Sequence, residues 1–242
     1  VTTEAILFDL DGTLLDIDMD RFLAGYFAAM EAQAREQGLE GAEVLVAAVW
    51  KATELMVRER DPRRTNREVF EEAFFARFPQ PPHVMRPFFE RFYATAYRQL
   101  GRYCRPFPGM REIVADAFAR GLQVAVATNP LFPLTALEQR LAWGGVGDFP
   151  YQVITSYEIM HSAKPQPQYY LEIAAMLGVE PGRCLMVGND RREDLSAARV
   201  GMRTFLLCER VNNPHHEEFE PDWQGGLAEL AELVAGLGSP GC

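Results

Sequence analysis

A four-residue apolar run, Ala5-Ile6-Leu7-Phe8, ends in two acids one residue apart and then a glycine, Asp9-Leu10-Asp11-Gly12. A short continuous apolar run bounded by turn chemistry reads as a strand buried on both faces of a sheet. Alternate side chains of an extended segment share a face, so Asp9 and Asp11 converge on one point beyond the strand's carboxyl end. Gly12 lets the backbone turn away sharply there. Two carboxylates so close raise each other's pKa unless a cation or a shared proton offsets them. A hard divalent cation such as Mg²⁺ is the natural partner.

The residues beyond that strand set the architecture. Helical periodicity runs over about residues 18–37, 42–60, 66–78 and 84–100, with breaks at Gly38, Pro62 and Pro79-Gln-Pro-Pro82. After Arg105-Pro-Phe-Pro-Gly109 the pattern changes to alternation. Strands are expected at 122–128, 152–155, 184–187 and 204–207, between helices near 109–120, 133–143, 166–177, 192–200 and 226–237. Short apolar strands alternating with helices predict an α/β fold, a doubly wound, Rossmann-like parallel sheet covered on both faces. The first strand belongs to that sheet, so the helical block is an insertion. Residues 1–15 and 104–242 are expected to form the catalytic core, and 16–103 an all-helical cap.

Bulk properties narrow the partners. A formal net charge of −10 argues against nucleic acid. No apolar run approaches the ~20 residues that span a bilayer, and the N-terminal segment lacks a basic stretch leading into an apolar one, so a cytoplasmic protein without membrane contact is expected. Cys104, Cys184, Cys208 and Cys242 show no CxxC spacing and indicate neither a disulfide framework nor a zinc site. The expected association state is a monomer or a homodimer. Only two of the 24 basic residues are lysines, Lys51 and Lys164, which makes each lysine worth explaining.

Ligands of an open parallel sheet bind beyond the carboxyl ends of its strands. Asp9, Asp11 and Gly12 follow the first strand, Thr128-Asn129 the second, and Gly188-Asn189-Asp190 the fourth, while Lys164 lies in the loop after the third. A carboxylate at Asp9 can take a phosphoryl group as an aspartyl-phosphate. Asp11 is placed to act as general acid and base. The Thr128 hydroxyl, Asn129 and the N–H groups of a helix start can bind phosphate oxygens, and Lys164 can neutralise nucleophile and phosphate as a point charge. Asp9, Asp11, Asp190 and Asp194 together carry more negative charge than Lys164 returns, so a phosphate dianion would need Mg²⁺ to enter.

These residues resemble the motifs of the haloacid dehalogenase superfamily of phosphohydrolases: Asp9-Leu-Asp11-Gly-Thr13, Val126-Ala-Thr128-Asn129, Lys164-Pro165 and Gly188-Asn-Asp190-Arg-Arg-Glu-Asp194. The resemblance implies a metal-dependent phosphatase acting on a small phosphorylated metabolite, with a mobile cap over the site. Asp11 favours phosphate chemistry, because the namesake dehalogenases replace that second acid. Many members carry Gly-Asp where this chain has Gly188-Asn189, so the metal ligand has either moved to Asp190 or is the Asn189 amide. Asp190 is the expected direct ligand, with Asp194 holding a metal-bound water or Lys164.

Other readings stay open. A carbon–phosphorus bond hydrolase of the superfamily is similar in using a cap lysine, and Lys51 falls 42 residues after Asp9. Lys51 also stands three residues before Glu54, an ordinary helix pair. A phosphomutase and a non-catalytic binding module are the further alternatives. In the cap, Arg63 and Arg64 belong to an arginine-rich segment, 58–67, that either reads a second anionic group or is a solvated loop. Glu158 and His161 either line the site or are loop residues.

Overall fold

The computed structural model describes residues 2–59 and 61–237. Arg60, in the arginine-rich segment, and Cys242 lie outside the described residues. The chain runs β1 (Ala5–Phe8), β2 (Leu15–Ile17), α1 (Met19–Glu36), α2 (Ala42–Arg58), α3 (Asn66–Phe75), α4 (Pro82–Ala94), a 3₁₀ segment (Ala96–Tyr103) and β3 (Cys104–Pro106). It continues through α5 (Met110–Ala119), β4 (Gln123–Val126), α6 (Leu134–Trp143), β5 (Val153–Ile154), α7 (Pro167–Leu177) and β6 (Cys184–Gly188). The last elements are a 3₁₀ segment (Asp194–Val200), β7 (Arg203–Leu207), β8 (Trp223–Gly225) and α8 (Leu227–Gly236).

Six strands form one parallel sheet in the order β5-β4-β1-β6-β7-β8. Beyond β5 the chain crosses back over β1 to build the other half, so Asp9 ends the strand at the point where the winding reverses, the usual ligand position of such sheets. The β1 side chains explain the two covered faces. Ile6 and Phe8 point into a core completed by α5, α6 and α8, through residues such as Val114, Leu137 and Leu230. Ala5 and Leu7 point into a second core under α7 and the Asp194–Val200 segment, with Tyr169, Ile173 and Ala197. Period-two alternation with both faces buried is what an apolar run in a parallel sheet requires.

The helical insertion is joined to the sheet by β2 and β3, which pair antiparallel with Leu15 opposite Pro106, Asp16 opposite Arg105 and Ile17 opposite Cys104. Asp16 is buried and ties this ribbon to the core: it accepts from Arg105 Nε at 2.6 Å and from Arg210 Nε at 2.9 Å. At the other end of the insertion, α3 begins on Thr65, whose hydroxyl and Glu68 form a reciprocal capping box. The α3 start docks on the core through Asn66 N to the Met160 carbonyl (2.7 Å) and Arg67 N to the Tyr157 carbonyl (2.8 Å), and the buried Asn66 amide donates to the Ser162 carbonyl at 3.2 Å.

The structure corrects three expectations about elements. The helix expected over 84–100 stops at Ala94 and continues as 3₁₀ from Ala96, and the one expected over 192–200 is 3₁₀ from Asp194. Strands β2, β3 and β8 are additions to the expected set. They are three residues each and carry Asp16, Pro106 or Gly225, residues poor in strand propensity, so their pairing comes from tertiary partners.

Candidate active site

Asp9 and Lys164 meet in a buried ion pair: Lys164 Nζ donates to Asp9 Oδ1 at 2.7 Å and to Asp194 Oδ1 at 2.6 Å, with the lysine side chain 1% exposed. Burial alone would lower the lysine, but the Asp194 and Asp9 carboxylates outweigh it and hold Lys164 well above its ordinary pKa, so it stays an ammonium. Burial pushes Asp9 and Asp194 upward, and Lys164 pulls both down. The loop presenting Lys164 carries a cis peptide bond to Pro165.

Backbone approach sets the floor. Gly12 has φ +87°, and a Cβ there would lie 2.4 Å from Asn189 Nδ2. Gly188 lets the Asp194 carboxylate lie against β6, where a Cβ would be 2.1 Å from Asp194 Oδ2. That same oxygen accepts from Asp190 N at 2.8 Å, so Asp194 orders the turn after β6 as well as the lysine.

Asp190, expected as the direct metal ligand, lines the cavity with both carboxylate oxygens hydrogen-bonded. Its Oδ1 accepts from Arg192 N and Glu193 N, each at 2.8 Å, and its Oδ2 from Asn213 Nδ2 at 2.7 Å. Asn189 is buried and committed at both ends: Thr13 Oγ1 donates to its Oδ1 at 3.0 Å, and its Nδ2 donates to the Arg210 carbonyl at 2.5 Å. Arg210 also bonds Asp16, so the ribbon and the β6 turn share one network. Among the described residues no group of three or more His, Cys, Asp or Glu side chains stands close enough to hold a metal ion.

Thr128 is buried with its carbonyl held by Thr155 Oγ1 (2.6 Å) and Tyr169 Oη (2.7 Å). It does not sit at a helix start: a loop separates it from α6, which begins at Leu134. Asn129 Nδ2 donates to Glu193 Oε2 at 3.1 Å, and its Oδ1 is buried without a partner. The backbone N–H of α6 at Leu134 is satisfied by Glu158 (3.1 Å), and His161 Nδ1 lies 2.6 Å from Glu172 Oε1. Glu158 and His161 therefore brace loops, and neither is among the described residues lining the cavity above Asp9.

That cavity encloses about 510 Å³ between core and cap and reaches Asp9, Asp11, Thr128, Asn129, Asp190 and Asp194. Of the cap cations, Arg58 at the end of α2 reaches the cavity, whereas Lys51, Arg63 and Arg64 lie elsewhere. Lys51, half exposed, pairs with Glu54 at 2.8 Å and is not among the lining residues. Arg63 pairs with Asp61 at 2.8 Å and Arg64 with Glu72 at 2.5 Å, and neither lines the cavity. Arg63 and Arg64 thus form ion pairs away from the cavity, of small energetic weight where exposed, while Arg58 of the same segment lines it.

Two residues of the site do not stand out in the sequence. Arg140, on α6, is fully buried and donates from Nη1 to Asp11 Oδ2 at 2.7 Å and from Nε to Tyr97 Oη at 2.8 Å. Its guanidinium lies 4.0 Å from the Phe132 ring centroid and 4.7 Å from that of Phe22, a stacking that guanidinium geometry favours. Arg140 thus joins the core to cap residues Phe22 and Tyr97 while fixing one oxygen of Asp11. A signal was present: Arg140 stands on the buried stripe of α6 with Ala136, Leu137 and Leu141, where an unpaired arginine is untenable. Glu193 is the second, lining the cavity with its carboxyl pushed up to about 7 mainly by burial.

A haloacid dehalogenase-like hydrolase model matches residues 3–201. The chain is 27% identical to phosphoglycolate phosphatase of Vibrio parahaemolyticus, covering 95% of each chain. It is 26% identical to N-acetylmuramic acid 6-phosphate phosphatase of Pseudomonas aeruginosa, over 91% of this chain and 87% of that one. The crystal structure of a HAD phosphatase from Thermococcus onnurineus superposes with a TM-score of 0.61 at 19% identity, covering 98% and 100% of the two chains. The chain belongs to the haloacid dehalogenase-like hydrolase family. It is a hydrolase whose matched relatives are phosphoric monoester hydrolases.

Proposed function

We propose that this hydrolase cleaves small phosphate monoesters with Mg²⁺, through an aspartyl-phosphate on Asp9. The observation that carries the reading is the Asp9 carboxylate at the end of β1, facing the cavity beside Asp11 and charge-balanced by Lys164 at 2.7 Å. A substrate binds with its phosphorus against Asp9. A carboxylate oxygen of Asp9 attacks phosphorus, the ester P–O bond breaks, and the departing alkoxide takes a proton from Asp11. Asp11 then takes a proton from water as its oxygen attacks the same phosphorus. The bond to Asp9 breaks, inorganic phosphate leaves, and both carboxyl groups return to their starting state. Lys164 offsets charge on the nucleophile throughout, and Arg140 orients Asp11.

The residues fit a hard cation. The floor offers oxygen donors, Asp11 Oδ1 is buried without a hydrogen-bond partner, and the carboxylates of Asp9, Asp11, Asp190, Glu193 and Asp194 outnumber Lys164 and Arg140. Asp9 and the backbone carbonyl of Asp11 would hold Mg²⁺, with Asp190 and Asp194 supporting it through water, since Mg²⁺ retains several waters and needs no cluster of three side-chain ligands. Bound there, Mg²⁺ would offset and orient the phosphoryl oxygens. The test is turnover of a generic aryl phosphate with and without EDTA, and in Asp9→Asn. Loss of activity on chelation, its return with Mg²⁺, and a fall of at least ~10⁴-fold in a folded Asp9→Asn are expected. Full activity in Asp9→Asn would remove the proposed nucleophile.

A further inference from the structure

The cap side of the cavity is mostly apolar. Its walls are apolar or aromatic through Leu23, Phe27, Val49, Trp50, Phe70 and Phe89. The polar cap side chains that reach the cavity are Tyr26, Thr53, Glu54, Arg58 and Tyr93 among the described residues, and each is already matched to another protein group. Tyr26 and Tyr93 bond each other through their hydroxyls at 2.9 Å. The Thr53 hydroxyl donates to the Val49 carbonyl at 2.9 Å. Glu54 pairs with Arg58 at 2.6 Å and with Lys51 at 2.8 Å. The polar floor and the apolar roof are thus sharply divided within one cavity.

From this division we infer that the substrate is a phosphate monoester whose leaving group presents an apolar, ring-sized face to the cap. The inference deepens the phosphatase reading and rests on it. A volume of about 510 Å³ is far more than a phosphate needs and falls within the usual range for a small-ligand site. A small hydroxylated leaving group would give up water against these apolar walls and regain few hydrogen bonds, which opposes binding. An aromatic or aliphatic ring would instead remove apolar surface from water on both sides and meet the Phe27 and Trp50 rings, which already pack edge-to-face at 5.6 Å. Trp50 is 58% exposed at the edge of this wall, where a bound ring would cover it.

The experiment compares kcat/KM with Mg²⁺ for 2-phenylethyl phosphate, 2-hydroxyethyl phosphate and phosphoglycolate, all primary-alkyl esters, so that the leaving alkoxides differ little in basicity. Preference for 2-phenylethyl phosphate by roughly 10–100-fold is expected from one well-buried ring. Trp50→Ala, at an exposed position the fold does not depend on, should shrink that ratio by about 3-fold or more. A ratio near one, or a lead for either polar ester, overturns the specificity while leaving the phosphatase reading in place. A strong preference that Trp50→Ala and Phe89→Ala both leave unchanged overturns the cap wall as its source. Absence of turnover with all three esters and with a generic aryl phosphate overturns the phosphatase reading and the specificity together.

Discussion

The floor and the roof of the cavity are built from the same chain on opposite principles. The floor, at the ends of β1 and β6, is a lattice of charged and polar side chains in which Asp9, Lys164, Asp194 and Asp190 each fix another's place. The roof, on α1, α2, α3 and α4, is mostly apolar surface whose few polar groups bond one another or the helix backbone. Catalysis by charge needs preorganised dipoles that do not relax, whereas recognition of an apolar group needs area and shape. On the proposed mechanism and specificity, reaction and selection divide between two parts of the molecule, so a substitution should reveal its side by the kinetic constant it moves.

After Asp9→Asn, the largest effect on that contrast should come from Asp11→Asn, also a floor substitution. General acid–base assistance is typically worth ~10²–10⁴-fold, so kcat should fall by that much for every substrate in the same ratio. A loss confined to one substrate would blur the division. Arg140→Met comes next, because Arg140 belongs to both sides. It should lower kcat by about 10–100-fold through a mispositioned Asp11. It should also lower stability by up to about 3–5 kcal/mol, the usual consequence of breaking a buried pair. Arg140→Lys should recover part of kcat, and the set is read by single-turnover kinetics beside thermal melts. If Arg140→Met melts early yet keeps its full rate per folded molecule, the arginine braces the fold only. Arg63→Ala should do least: exposed and paired with Asp61 away from the cavity, it should leave kcat and KM within about 2-fold for neutral and charged esters alike. A selective rise in KM for doubly charged esters would return this segment to the binding surface.

Legibility in the sequence divides along the same line. The strands that carry the floor are continuous apolar runs, and the acids, lysine and turn glycines at their ends stand out against them. Hence Asp9, Asp11, Thr128, Asp194 and Lys164 were visible as a set, and the structure brings them to one end of the sheet. The turn after β6 was less legible, because whether Asp190 faces a ligand or its own backbone depends on Asn213, which lies in a loop beyond β7. Arg140 shows in the sequence only as an arginine on an apolar stripe, because its partner Asp11 lies 129 residues away and its stacking rings come partly from the cap. The roof was legible only as amphipathic helices. Which apolar face lines a cavity and which packs a core is decided by how α1 and α2 cross, and periodicity carries no information on that.

The paired strands β2 and β3 give the insertion an unusual boundary. Its two crossings run side by side, and Asp18 N reaches back to the Tyr103 carbonyl at 3.2 Å, so the chain leaves the sheet and returns to it within one hydrogen bond. To the rest of the molecule, the whole helical unit occupies the place of a hairpin turn. Such a seam lets one recognition module be exchanged for another, of any length, without shifting a single core strand. New selectivity can therefore be acquired by grafting at Ile17 and Cys104, provided that the graft keeps Phe22 and Tyr97 around Arg140.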